Sequence, residues 1–166
     1  MSGKLVRWVL ITLGAALVLG AVYLALVLNP VQQGGSVVVF VEKEPTEIQS
    51  MQVTNGFGTY EIFTEDGGYV VDDIPAGIVN VEAFYELMYH GCAFGALKRT
   101  DATPRDLAKY GLDEPQAELS VAFTDGTGFA MKIGAEEVVS GNYYGQVEGD
   151  KAVYLFSSED MTYFLC

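Results

Sequence analysis

Residues 110–134 read YGLDEPQAELSVAFTDGTGFAMKIG, and their pattern decides the fold class. Leu119, Val121 and Phe123 recur at period two, as do Phe129, Met131 and Ile133. Such alternation puts successive side chains on opposite faces of an extended chain, so each run predicts a strand with one apolar face. The DGTG between them supplies the residues of a tight hairpin turn. Upstream, Gly111 suits a left-handed helix stop, and Pro115 has no N–H with which to continue a helix. Asp113 and Glu114 are expected to face water in the connector, as punctuation rather than as a catalytic or metal-binding acid pair.

Downstream, GNYYGQVEGDKAVYLF (141–156) predicts a second hairpin through EGD. SSEDMTYFLC (157–166) begins like a capped helix: Ser157 or Ser158, then acids, then Met161, Phe164 and Leu165. It stops within a first or second turn, so the chain is expected to be a short or truncated form of something longer. Upstream, TPRDLAKYGL (103–112) predicts a short helix, with Thr103 as cap, Pro104 in the first turn and Asp106 three residues after the cap. NVEAFYELMYHGCAFG (80–95) predicts a longer one. Val81, Phe84, Leu87, Met88 and Gly91 share a face, Asn80 caps it, and it ends near Gly91 to Gly95. ALKRT (96–100) is expected to leave it as a short strand. VVVFVE (37–42) and EIQSMQVTN (47–55) predict strands, and GTYEIFTEDGGYVVDDIP (58–75) a hairpin turning at EDGG. Hairpins with segregated helices make an α+β domain: a mainly antiparallel sheet with one longer and one or two short helices.

Before this domain lies a different kind of segment. From Trp8 to Leu28 no residue is charged. As a helix, this block spans roughly 31 Å, about the thickness of a bilayer core. A buried soluble helix of that length would show a polar stripe, and this one has none. Lys4 and Arg7 precede it and the next charge is Glu42, which predicts a cytoplasmic N-terminus and an outer C-terminal domain. The apolar core is longer than that of a cleaved signal, and no small-x-small site follows, so an uncleaved signal anchor is expected. The expected organisation is a cytoplasmic N-terminus (1–7), a transmembrane anchor (8–28), a polar linker (29–36) and an extracytoplasmic domain (37–166).

All 22 acids follow the membrane block, with seven of the nine bases, giving the outer part a net charge of −15. Such a surface repels phosphate backbones and anionic headgroups, which excludes nucleic acid as a natural partner. Two cysteines, Cys92 and Cys166, make no disulfide framework; Cys92 falls on the predicted helix as a candidate buried thiol, and a pairing is left open. His90 is the only histidine, so zinc spacing is absent and a structural or surface role is expected. The serines have no G-x-S-x-G context, and GTG lies between strands without the helix a nucleotide site needs. Asp66-Gly67 and Asp125-Gly126 fail the calcium-loop template and read as turns. Asp72 and Asp73, adjacent at a strand end, could hold a cation, although a solvated strand end explains them as well. Tyr143 and Tyr144 are adjacent and must point to opposite faces of a strand, so one of them is a candidate contact residue.

The segment from Tyr110 to Gly134, followed by NYYGQVEGDKAVYLF, resembles the domain-of-unknown-function family numbered 4340. Tyr110, Gly111, Leu112, Asp113 and Pro115 carry the resemblance, with Asp125-Gly126, Ile133-Gly134 and Tyr143-Tyr144. It is expected to extend over about residues 48 to 164, with Tyr69 where many relatives have tryptophan. The resemblance implies a membrane anchor and an association with gliding-motility-type ABC transport systems, near a permease and an auxiliary extracytoplasmic protein. It brings no catalytic residues to this chain.

No catalytic constellation, cofactor motif or metal set is visible, so a non-enzyme is expected. The leading expectation is a membrane-anchored extracytoplasmic accessory or interaction domain with a protein partner in the membrane, an ABC permease or auxiliary subunit. Two alternatives stand beside it. One is a module binding a small ligand or cell-wall glycan, which predicts an exposed tyrosine cleft near Tyr143 or Tyr144. The other is a metal-assisted hydrolase built on Asp72 and Asp73, which predicts acids converging on one cavity.

Overall fold

The period-two runs all enter one antiparallel sheet. The computed structural model describes residues 37–65, 68–72 and 79–165. The expected membrane block and linker, Asp66-Gly67, Asp73 and Cys166 lie outside the described residues. Among those described, no helix is long and apolar enough to cross a membrane. The strands are β1 (Val38–Glu42), β2 (Ile48–Asn55), β3 (Gly58–Glu65), β4 (Gly68–Val71), β5 (Ala93–Asp101), β6 (Ala117–Phe123), β7 (Gly128–Glu136), β8 (Tyr143–Val147) and β9 (Val153–Phe156). The helices are α1 (Val81–Gly91) and α2 (Ser158–Leu165). Sheet order is β1-β5-β9-β8-β7-β6-β2-β3-β4, with every neighbouring pair antiparallel. This is the α+β architecture expected.

The inner face carries the core: Leu119, Val121 and Phe123 from β6, Phe129, Met131 and Ile133 from β7, and Ile48, Met51 and Val53 from β2 are all buried. The sheet must curl around that core. β1 and β7 are four places apart, roughly 19 Å in a flat sheet. Yet the Phe40 and Phe129 rings are 6.1 Å apart, and Phe94 of β5 stacks on Phe129 at 4.4 Å. Large apolar side chains on the inner face draw the two halves together, because that removes more of their surface from water.

Both helices lie on the inner face. Asn80 caps α1 as expected, its Oδ1 accepting from Glu82 N (3.2 Å) and Ala83 N (3.3 Å). Met88 and Gly91 are its buried residues, whereas Val81 is 60% exposed and lies off the core. Met161 and Phe164 bury the inner side of α2, and Ser157 Oγ accepts from Glu159 N at 3.2 Å.

The expected helix over 103–112 does not form. Only Ala108–Tyr110 makes a single 3₁₀ turn. Asp106, read as a helix-start signal, and Asp101 before it take backbone N–H groups into tight local turns instead: Thr103 N donates to Asp101 Oδ1 (3.0 Å) and Ala108 N to Asp106 Oδ1 (3.1 Å). Thr103 is therefore not the cap. β5 is also longer than the strand expected, because it pairs with β1 on one side and β9 on the other.

Candidate functional site

The segment 107–112 covers part of the reverse face of the sheet, over β7–β9. Leu107, Tyr110 and Leu112 pack there with Val153 of β9 and Tyr144 of β8. Burying such side chains stabilises by roughly 1.5–3 kcal/mol each as an upper bound. Tyr110 meets Tyr144 edge-on at 5.1 Å, and its hydroxyl donates to Asp101 Oδ2 at 3.0 Å. Burial pushes the Tyr110 hydroxyl above its ordinary pKa, and the Asp101 carboxylate adds to that. Gly111 adopts φ 66°, the left-handed stop expected. A Cβ on it would lie 2.7 Å from Ala135 N, and one on Gly134 would overlap the Tyr110 carbonyl oxygen. The tripeptide Tyr110–Leu112 thus lies against the backbone of β7 at Gly134 and Ala135. Gln116 fastens the next turn, donating from N to Ile133 O (2.8 Å) and from Nε2 to Gly134 O (2.7 Å).

The paired fingerprint elements YGL and IG are therefore two sides of one contact. Asp113 and Glu114 are exposed between them, as expected of a connector. Tyr143 and Tyr144 do point to opposite faces, but both are half-buried: Tyr143 packs on the main core and Tyr144 under the 107–112 segment. Asp72 is exposed just after β4, its N–H donating to Glu61 O at 2.8 Å. Among the described residues, no three His, Cys, Asp or Glu side chains gather as a metal site.

His90 has the structural position expected. Its ring is sandwiched between the two helices, 13% exposed, stacked on Tyr163 at 4.2 Å and meeting Tyr89 edge-on at 5.5 Å. Its Nδ1–H donates to Asp160 Oδ1 at 3.0 Å, and Nε2 lies 3.9 Å from Glu86 Oε2. Cys92, just past α1, is buried with its thiol donating to Tyr89 O at 3.1 Å. Burial pushes that thiol up, away from the thiolate a nucleophile needs.

Two of the surface depressions, one on each face, bear on function. On the reverse face, a polar one of about 440 Å³ is lined by Gln52, Thr54, Ser120 and Gln146 and spanned by the Glu118–Lys132 ion pair at 3.3 Å. On the inner face, a groove of about 600 Å³ lies between β2–β4 and the helices. Its walls are Val53, Tyr60, Ile62, Phe84, Leu87 and Tyr163, with Asn55 and Asn80 at its rim. Among the described residues, this is where the two helices leave the sheet incompletely covered. The sequence places Phe84 and Leu87 on the apolar face of α1 but carries no sign that they stay half-buried, because that depends on how far α2 reaches across β2 and β3. Neither depression is lined by Tyr143 or Tyr144.

Residues 91–165 match the family described as domain of unknown function (DUF4340). The match starts at the end of α1 and contains every fingerprint element from Tyr110 to Tyr144. It is narrower than the expected 48–164 and leaves Tyr69, β1–β4 and most of α1 outside. No curated protein and no solved structure matches the chain.

Proposed function

We propose that this chain, whose residues 91–165 match family 4340, is a membrane-anchored extracytoplasmic interaction protein that works beside an ABC-type transport system. The observation that carries the reading is the uncharged 21-residue block Trp8–Leu28 behind Lys4 and Arg7, followed by a domain of net charge −15. The apolar groove supports an interaction role, since exposed contiguous apolar surface in a soluble domain is costly unless something uses it. The resemblance to family 4340 supplies the transport association.

Extraction of the full chain in mild detergent, followed by affinity purification, tests this. The expected result is membrane recovery together with a permease. Recovery with no membrane partner sinks the transport association. Protease added outside intact cells should degrade the domain, and full protection would overturn the outward orientation.

A further inference from the structure

We infer that the inner-face groove docks a segment of a partner polypeptide that combines apolar side chains with flanking Lys or Arg. The inference deepens the interaction reading above and rests on it. Two independent features of the groove select this occupant.

The first is its lining. Val53 and Ile62 form a buried floor, and Phe84, Leu87, Tyr60 and Tyr163 form walls that keep part of their apolar surface towards the opening. A volume of about 600 Å³ lies within the range of specific binding sites. Burial of apolar anchors in such a cleft is the usual source of affinity at a protein interface.

The second is charge. Every element that builds the groove comes from residues 44–97 or 152–166. The two helices that wall the groove carry Glu82, Glu86, Glu159 and Asp160 and no Lys or Arg. The seven bases of the domain all lie elsewhere in the chain, from Lys43 at the end of β1 to Lys151 before β9. Lys43 is engaged by Asp125 at 2.6 Å and Glu47 at 3.5 Å. An apolar cleft walled by helices that carry four acids and no Lys or Arg attracts cations and repels anions. An acidic peptide, a fatty acid or an anionic lipid would enter against that field. A segment with basic flanks enters with it, and its encounter rate falls as salt rises.

The test uses the full chain in phosphatidylcholine nanodiscs, with empty nanodiscs subtracted. Three fluorescent peptides of one pattern are titrated: Leu/Lys, Leu/Glu and Ser/Lys. The Leu/Lys peptide should bind at least about tenfold more tightly than either other. Added salt should weaken it. Ala83 is exposed at the mouth of the groove, so Ala83→Trp fills the cleft without entering the core, and should cost about tenfold or more in affinity. Glu82→Lys should cost less, in proportion to the field it reverses.

Equal binding of the Ser/Lys peptide, or Leu/Lys binding unchanged in both variants, overturns the inference. So does N-phenyl-1-naphthylamine bound in the groove and not displaced by the Leu/Lys peptide, which would make this a small-ligand site. Self-association abolished by Ala83→Trp would assign the groove to a second copy and overturn it too. A chain that does not enter nanodiscs sinks the anchor reading instead, and the same titration then runs in buffer.

Discussion

The two faces of the sheet are finished by opposite means. On the reverse face, an irregular segment lies flat on the strands: Leu107, Tyr110 and Leu112 meet Tyr144 and Val153, and glycine at 134 lets the Tyr110 carbonyl touch β7. On the inner face, two regular helices rest on the core through Met88, Gly91, Met161 and Phe164, and leave a groove beside them. A flat segment adapts residue by residue and seals what it covers. Helices are cylinders, and where two of them diverge over a curled sheet the surface between them stays open. The patch under 107–112 joins Tyr110, Gly111, Leu112, Gly134 and Tyr144 of the family fingerprint; the inner face holds the inferred docking surface.

Alanine at the glycine contact on each face breaks this comparison most directly. Gly134→Ala drives a methyl into a backbone oxygen that cannot move without lifting the whole 107–112 segment. A loss of about 3 kcal/mol is expected in urea unfolding. Gly91→Ala overlaps only the terminal methyl of Met51, a flexible side chain, and gains helix propensity in return. Its net change should stay within about 1 kcal/mol. Equal losses would show that the reverse segment yields as readily as a side chain does.

Polar fastenings should rank lower. His90→Ala removes the stack on Tyr163 and the bond to Asp160, and should loosen α2 by about 1–2 kcal/mol, visible as faster amide exchange in 158–165. Tyr110→Phe removes one hydroxyl and its bond to Asp101, about 1 kcal/mol on the opposite face.

Acid should act next. Asp125 is held well below its ordinary pKa, first by the Lys43 ammonium bonded to it and then by Thr127. Asp150 is lowered by the Ala152 N–H and then the Tyr154 hydroxyl, and Glu137 by Ser140. Because the folded values are depressed, the stability these groups contribute is complete above their unfolded values near pH 4, and is lost as pH falls through the folded ones. Asp125→Asn should therefore flatten the acid limb of stability below about pH 4. Solvent screens the exposed pair, so the change in slope will be modest and smaller in high salt. Smallest of all, the double change Asp113→Asn with Glu114→Gln should stay within about 0.5 kcal/mol of the parent, because both side chains face water. A larger loss would mean that the connector does more than join.

Much of this was legible in the chain. Leu119 to Phe123 and Phe129 to Ile133 alternate cleanly, and Asn80 and Gly111 are local signals whose chemistry is complete within a few residues. The segment 103–112 misled for the same local reason. Thr103, Pro104 and Asp106 satisfy a helix-start pattern, yet Asp101 and Asp106 bond nearby N–H groups, and the chain gains more by laying Leu107, Tyr110 and Leu112 on the reverse face. The groove was not legible at all, since its walls come from β2, β3, β4 and both helices. Nor did the adjacency of Tyr143 and Tyr144 say that each side has its own cover.

The sequence by itself determined the strands, their turns, the capped α1 and the segregation of charge. Each depends on neighbours in the chain or on composition alone. Only the tertiary structure decided that β1 and β7 meet across a curl, that Tyr110 lies on Gly134, and that Phe84 and Leu87 border an open cleft. Those contacts join residues far apart in the chain, and what sets them is how apolar surfaces of fixed shape can be brought together without leaving water or voids between them.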